Sequence, residues 1–182
     1  ALLAGNMGLP FFDQLADAEK KTIVAELSSH QLETVYHSPA VAVLLNIFPE
    51  HLDHYEDFQA YARAKWNIGL YQKWGGRLFI PADWIEEKWI NYQKQCSGQI
   101  TGFGAENDEI MFEFDENHFS ERIDLNRIPV KGVHNLMNCA AAIGAVIEAG
   151  LELQDAINSL YTFNPLPHRL EFIKEVNGVI YQ

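Results

Sequence analysis

Two short apolar segments, each followed at once by polar residues, constrain the fold of this chain more than any other feature. Residues 22–27 and 40–45 are apolar and β-branched, a composition typical of buried parallel strands. Glu26 closes the first segment, and His51 follows the second within a polar loop. Because ligands bind outside the carboxyl ends of parallel strands, we expect neighbouring strands to bring Glu26 and His51 to one sheet edge. A carboxylate and an imidazole there suit a divalent metal or acid–base chemistry.

The remaining patterns predict helices and strands along the whole chain. Helices are predicted over residues 10–18, 55–74, 81–95, 135–149 and 153–163. Strands are predicted over residues 2–4, 77–80, 99–103, 109–114 and 118–123, with a hairpin over 168–176 and 179–181. The predicted fold class is therefore α/β: a mostly parallel sheet flanked by helices, with a small antiparallel side sheet over residues 99–128. The proline-rich connector at 164–167 predicts a boundary between domains 1–164 and 165–182.

The acidic composition limits the partners of this chain. Its 182 residues carry a formal net charge of −12, which disfavours nonspecific binding to nucleic acid and to anionic lipid. No apolar run reaches the roughly 18 residues of a membrane-spanning helix, so we expect no membrane insertion. Cys96 and Cys139 lie far apart without metal-ligand spacing and are predicted to be reduced, buried thiols. These features together predict a cytoplasmic protein.

Several polar residues have a structural and a functional interpretation. Glu26 could cap the following helix together with Ser28 and Ser29 instead of binding a metal. Lys65 falls on the buried face of its predicted helix, where a snorkelling side chain is the simpler account and a lysine directed at the His51 edge is the alternative. Asn135 suits the N-cap of the helix predicted from that residue. Asn138, one turn later, could contact a ligand held at the helix N-terminus, and capping alone does not explain it.

Four motifs occur in a fixed order and together resemble a known family. They are Gly5-Asn6-Met7-Gly8, then Glu26-Leu27-Ser28-Ser29-His30-Gln31-Leu32-Glu33, then Asn46-Ile47-Phe48-Pro49-Glu50-His51-Leu52-Asp53 with Lys65, and finally His134-Asn135-x-x-Asn138 with Leu166-Pro167-His168-Arg169. The ordered set is similar to the Mur ligases, the ATP-dependent peptide-forming enzymes of peptidoglycan precursor synthesis. The resemblance covers essentially the whole chain and is greatest to the branch that adds D-glutamate. The run Ser28-Ser29-His30 is also similar to the branch that adds a diamino acid.

The resemblance implies ATP and Mg²⁺ as cofactors, with UDP-N-acetylmuramoyl-L-alanine and glutamate as substrates. In such enzymes ATP converts the substrate carboxylate to an acyl phosphate, which the amino group of glutamate attacks. The implied site residues are Glu26 and His51 as magnesium ligands, Lys65 as a carbamylated lysine holding a second magnesium ion, Asn6 and Ser28 at the nucleotide-sugar site, and Asn135, Asn138 and Arg169 at the ATP site. Lys65 and His51 would be the catalytic residues.

The resemblance also predicts how the chain relates to a whole ligase. The family's phosphate loop would precede Gly5, so residues 1–164 would be the central ATP-binding domain without its first segment. Residues 165–182 would begin the next domain. We expect the chain alone to lack ligase activity and the full protein to be a monomer. A non-catalytic α/β binding module and a metal-dependent hydrolase are the alternatives. The hydrolase is disfavoured because only His51 and His54 cluster among seven scattered histidines.

Overall fold

Nine strands in three sheets organise the part of the chain that the computed structural model describes, namely residues 1–6, 21–85, 88–107, 109–114, 117–164, 174–176 and 179–181. The strands are β1 Leu2–Gly5, β2 Ile23–Glu26, β3 Val41–Val43, β4 Arg77–Pro81, β5 Gln99–Glu106, β6 Glu109–Phe114, β7 Asn117–Arg122, β8 Lys174–Val176 and β9 Val179–Tyr181. The helices are α1 Ser29–Glu33, α2 Phe58–Leu70, α3 Ile90–Gln93, α4 Val133–Glu148 and α5 Leu153–Tyr161, with a 3-10 turn at Ala82–Trp84. None of these described helices is long and apolar enough to cross a membrane.

The main sheet contains five strands in the order β3-β4-β5-β6-β7. Strands β3, β4 and β5 are parallel, and β6 and β7 follow antiparallel. With helices packed against its parallel part, the sheet confirms the predicted α/β class. The predicted antiparallel strands are present, but they continue the main sheet instead of forming a separate side sheet. The reason is that β5 pairs with β4 along one edge and with β6 along the other.

Strands β1 and β2 form a separate parallel pair, in which Gly5 is opposite Glu26. The expectation that the strand ending at Glu26 pairs with the strand before His51 is therefore wrong for the described residues. Consecutive strands pair only about two-thirds of the time, and a local pattern does not specify the partner. The segment after β2 instead contacts the rest of the fold through α1. There, the buried Asn67 of α2 donates a hydrogen bond of 3.0 Å from Nδ2 to the carbonyl oxygen of Leu32.

Two helices differ from their predicted lengths because tertiary contacts override the local pattern. Helix α2 ends at Leu70, short of residue 74, and the next backbone N–H, that of Tyr71, donates to Ser38 Oγ at 2.9 Å. Where the structure describes the helix predicted over residues 81–95, namely at 81–85 and 88–95, it has the 3-10 turn and the short α3. These are separated at Trp89, whose φ of 65° is left-handed. Such a backbone conformation is rare for a bulky side chain and interrupts a right-handed helix.

The core lies on both faces of the main sheet. On β4, Leu78 and Ile80 belong to the cluster that packs on α2, whereas Phe79 belongs to the cluster that packs on α4 and α5. All three side chains are fully buried, as expected for a central strand covered on both faces. Gly69 and Gly144 allow the helices to approach this strand closely. A Cβ at Gly69 would lie 2.6 Å from Leu78 Cδ2, and one at Gly144 would lie 2.8 Å from the Phe79 ring.

Some predictions concern segments outside the described residues. These are the helix over residues 10–18, the second half of the turn at Gly5-Asn6-Met7-Gly8, and the segment 165–173, which includes Arg169. The hairpin predicted near the end of the chain is present as the antiparallel pair β8 and β9. The boundary between domains 1–164 and 165–182 stays a prediction.

Candidate functional site

The loop after β3 brings His51 to the carboxyl end of the parallel strands. The strand direction continues to Leu44, whose N–H donates to the carbonyl oxygen of Phe79 on β4 at 2.9 Å. The chain then turns at His51, which has a positive φ of 54°. Its carbonyl oxygen accepts hydrogen bonds from the N–H groups of His54 at 2.9 Å and Tyr55 at 3.1 Å. The imidazole of His51 is exposed at this turn.

Lys65 projects from α2 to the same sheet edge. Its Nζ donates to the carbonyl oxygen of Asn46 at 3.2 Å, and Asn46 lies three residues after the end of β3. Burial lowers the pKa of Lys65 from its ordinary value of 10.5, and the nearby Glu50 carboxylate opposes this by raising it. The side chain is half-buried, so it does not simply carry its charge out to water. The placement matches the alternative in which Lys65 is directed at the His51 edge.

Tyr61 is close to both predicted catalytic residues. Its ring centroid is 6.4 Å from that of His51 and 5.3 Å from Lys65 Nζ. Its hydroxyl donates to Glu50 Oε2 at 3.4 Å, and burial together with Glu50 raises the pKa of Tyr61 to about 12. Sequence reasoning assigned no role to Tyr61 or Glu50. The available signal was spacing, because Tyr61 precedes Lys65 by four residues and therefore shares its helix face.

Glu26, Asn6 and Ser28 lie around the ends of β1 and β2. The carbonyl oxygen of Glu26 accepts a hydrogen bond of 2.7 Å from Asn6 N, and both residues are exposed. Ser28 is the N-cap of α1, because its Oγ accepts from Gln31 N at 3.3 Å and its N–H donates to Gln31 Oε1 at 2.9 Å. Of the three residues suggested as the cap of this helix, Ser28 is the cap, and the suggestion is wrong for Glu26.

The structure places two of the three predicted magnesium ligands, His51 and Lys65, near a common side chain. His51 and Lys65 meet around Tyr61, and the unit formed by β2 and α1 approaches them through His30, whose ring lies 4.8 Å from that of His51. No measured contact joins Glu26 to either residue. Within the described segments, no three His, Cys, Asp or Glu side chains are arranged to hold a metal ion. Of the three predicted magnesium ligands, Glu26 and His51 are of these residue types, and Lys65 is not.

The two asparagines predicted near ATP lie at the start of α4. This helix begins at Val133, and its N-cap is Gly132, with a φ of 94°. The prediction that Asn135 is the N-cap is wrong, because Asn135 lies within the first turn and donates from Nδ2 to the carbonyl oxygen of Lys131 at 2.7 Å. A glycine adopts the positive φ of this cap without strain, which the side-chain pattern did not indicate. Asn138 is exposed one turn later.

The fold and this edge define an α/β domain that gathers an imidazole and a partly buried lysine at the carboxyl end of a parallel strand. Residues 5–146 match the family model described as the Mur ligase middle domain. The chain belongs to the Mur ligase family. This membership confirms the resemblance carried by the four ordered motifs.

Curated relatives match nearly all of the chain. The UDP-N-acetylmuramoylalanine--D-glutamate ligase of Ruminiclostridium cellulolyticum is 34% identical over an alignment 186 residues long, which covers 97% of this chain and 40% of that protein. The protein of the same name from Caldicellulosiruptor bescii is 32% identical over an alignment 199 residues long, which covers 98% of this chain and 41% of that protein. The chain therefore spans about two-fifths of the length of the curated relatives that it matches.

Solved structures share the fold at lower sequence identity. MurF from Acinetobacter baumannii matches with a TM-score of 0.61 at 21% identity, over 84% of this chain and 36% of that chain. Escherichia coli FolC in complex with DHPP and ADP matches with a TM-score of 0.55 at 18% identity, over 84% and 37%. At these identities the likeness concerns the fold alone, and it agrees with the α/β architecture described above.

Proposed function

We propose that this chain is part of a MurD-type ligase, which uses ATP to join D-glutamate to UDP-N-acetylmuramoyl-L-alanine in peptidoglycan precursor synthesis. The names of the curated relatives, at 32–34% identity over nearly the whole chain, support this assignment. The structural observation that supports it is the closeness of both His51 and Lys65 to the ring of Tyr61, in the region that follows β3. The chain would supply the central domain of that ligase.

Lys65 is suited to the carbamylation that the proposal requires. Only the free amine reacts: its nitrogen forms a bond to the carbon of CO₂, a proton leaves the nitrogen, and an anionic carbamate results. Burial lowers the pKa of Lys65, which increases the fraction present as free amine. The product would replace a positive charge at this edge by two carboxylate-like oxygens.

By chemical type, the proposed donors suit Mg²⁺. Glu26 would supply carboxylate oxygens, the carbamate of Lys65 would supply two more, and His51 would supply a ring nitrogen. Glu26 and His51 are both exposed, so a solvated ion can reach them. When bound, Mg²⁺ would screen the negative charges of ATP and the substrate carboxylate, which matters in a protein with a formal net charge of −12.

The remaining site residues are proposed to bind the two larger substrates. Asn6 is exposed directly after β1, and Ser28, two residues after β2, is the N-cap of α1. Both would contact the nucleotide sugar. Asn135 and Asn138, on the first turns of α4, would contact ATP together with Arg169, which is assigned from its motif alone.

The test is phosphate release by the full-length gene product in the presence of ATP, Mg²⁺, UDP-N-acetylmuramoyl-L-alanine and D-glutamate. We expect His51→Gln and Lys65→Met each to lower kcat by about a hundredfold or more, because each removes a group that positions the reacting charges. His37→Gln changes an exposed histidine outside the site and is expected to leave kcat within about twofold. Circular dichroism of each variant verifies that it is folded.

The lysine variant is decisive for the proposed site. If Lys65→Met keeps more than about a tenth of the wild-type kcat, carbamylated Lys65 does not hold a required ion and the site assignment fails. If His37→Gln is as damaging as His51→Gln, the loss at His51 does not report on the site.

A further inference from the structure

A groove of about 360 Å³ lies where the chain enters β3 and β4. Its lining includes Ser38 and Ala40, just before β3, and Gly75 and Gly76, just before β4. His51 follows the opposite, carboxyl end of β3, so the groove is separate from the proposed ligase site. Its volume is in the range of sites that bind small ligands.

Hydrogen bonds hold the lining of this groove in place. Ser38 Oγ accepts from the N–H of Tyr71 at 2.9 Å and donates to the carbonyl oxygen of Asn67 at 2.7 Å. The N–H of Gly76 donates to the carbonyl oxygen of Lys73 at 3.0 Å. Because these contacts fix the backbone around the groove, binding there would not have to order it.

Two aromatic side chains of the lining are available to a planar ligand. Trp74 is 97% exposed, and among the described large apolar side chains none is more exposed. Tyr71 is half-buried, and its ring lies 5.7 Å from that of Tyr36, measured between the centroids. Covering an indole removes a large apolar surface from water, and ring pairs gain further from offset or edge-on contact. A planar aromatic ligand would obtain both kinds of contact in this groove.

The groove is complementary to a negative charge. Its lining includes Lys73, and none of the described residues that line it is Asp or Glu. Lys73 is exposed, and within the described part of the chain no carboxylate forms an ion pair with it. The whole chain carries 25 Asp and Glu against 13 Lys and Arg. A preference for an anion in this groove would therefore oppose the effect of the net charge.

We infer that this groove binds a small planar aromatic ligand that carries a negative charge. The ring would pack against Trp74 and Tyr71, and the anionic group would lie beside Lys73. The uncovered indole, the fixed lining and the lysine without a neighbouring carboxylate carry the inference together. It does not depend on the proposed ligase function, because no residue named in the groove is assigned to catalysis or to substrate binding.

The test is an NMR titration of the full-length gene product with three probes that share one ring system. These are 1-naphthoate, the neutral 1-naphthalenemethanol and the cationic 1-naphthylmethylammonium. We expect 1-naphthoate to bind saturably with a Kd of about 1 mM, as is typical of a ligand with so few non-hydrogen atoms. The neutral probe is expected to bind about two- to fivefold more weakly, since an exposed ion pair contributes little. The cationic probe is expected to bind more weakly still, whereas net charge alone predicts the reverse order.

Four variants assign the binding to this groove. Trp74→Ala is expected to weaken 1-naphthoate binding by more than about fivefold, and Lys73→Gln is expected to make the anionic and neutral probes bind equally. Phe163→Ala and Lys94→Gln are the matched controls, because they change an exposed aromatic residue and an exposed lysine outside the groove. Neither control is expected to alter the binding of any probe.

Three results would overturn the inference. The first is the absence of 1-naphthoate binding up to about 10 mM, well above the expected Kd. The second is tighter binding of the cationic probe than of 1-naphthoate by the wild type. The third is wild-type binding by Trp74→Ala, or a wild-type preference for the anion in Lys73→Gln. Because Trp74 and Lys73 are both exposed, replacing them is not expected to prevent folding.

Discussion

Replacing Gln72 by methionine tests how the end of α2 is joined to the strands that carry the site. Gln72 is 4% exposed. Its Nε2 donates to the carbonyl oxygens of Pro39 and Arg77, both at 2.9 Å, and to that of Ala40 at 3.2 Å. These carbonyls belong to the two residues just before β3 and to the first residue of β4. Methionine keeps the length of the side chain but provides no donor, so this connection is lost.

The expected cost follows from a count of hydrogen bonds. The amide has two N–H groups for three acceptors, so two hydrogen bonds exist at any moment, which contribute about 1–3 kcal/mol together. A buried carbonyl left without its donor adds about 1–3 kcal/mol. Gln72 Oε1 is buried without a partner in the described part of the chain, and its removal returns a similar amount. We therefore expect the free energy of unfolding to fall by about 1–3 kcal/mol.

Urea unfolding followed by circular dichroism measures this change. The matched control is Gln95→Met, because Gln95 is exposed and its Nε2 makes one hydrogen bond, of 2.7 Å, to the carbonyl oxygen of Asn91. A change within about 0.5 kcal/mol is expected there. The reasoning is refuted if Gln72→Met costs no more than Gln95→Met at an unchanged slope of free energy against urea concentration.

Two other changes test the packing and the thiols. Gly144→Ala is expected to destabilise the chain, because the new Cβ would lie 2.7 and 2.8 Å from two phenylalanine rings; the overpacking cost of about 1–3 kcal/mol exceeds the helix-propensity gain of about 1 kcal/mol. A more stable variant in urea unfolding would contradict this prediction for Gly144.

The thiols give the next prediction. Cys96 and Cys139 are free thiols, and burial raises the pKa of each to about 11 from 9.0. At pH 8 both should therefore react with a thiol reagent about a hundredfold more slowly in the native chain than in urea; equal rates would contradict the burial. Because the pKa is higher in the folded chain, stability is lost as the pH rises from about 9 to 11, and Cys139→Ala should reduce that loss.

The sequence predicted those elements whose residues carry the signal locally. The parallel strands β3 and β4 appear as continuous apolar runs, because both faces of each strand are covered. The antiparallel strands β6 and β7 appear through alternation and turn residues. The positions of Glu26 at the end of β2 and of His51 in the loop after β3 also follow from local pattern. These residues are close enough in sequence to their strands that no distant contact is needed to place them.

Features set by distant contacts could not be predicted in this way. Local pattern does not specify that β2 pairs with β1, nor that Ser38 accepts the N–H of Tyr71 at the end of α2. The direction of Lys65 depends on the carbonyl oxygen of Asn46, which is 19 residues away. The association of His30 with the His51 turn likewise depends on how α1 packs against α2. In each case, tertiary contact decides between two locally acceptable conformations.

The central claim is that this chain belongs to a ligase that adds D-glutamate. The most direct measurement is Mg²⁺-dependent phosphate release by the full-length gene product, given ATP, UDP-N-acetylmuramoyl-L-alanine and one amino acid at a time: D-glutamate, L-glutamate or a diamino acid. We expect release with D-glutamate alone. Release with L-glutamate or a diamino acid would keep the ligase and contradict the amino acid assigned. No release with any of the three would contradict the ligase itself and favour a non-catalytic α/β binding module.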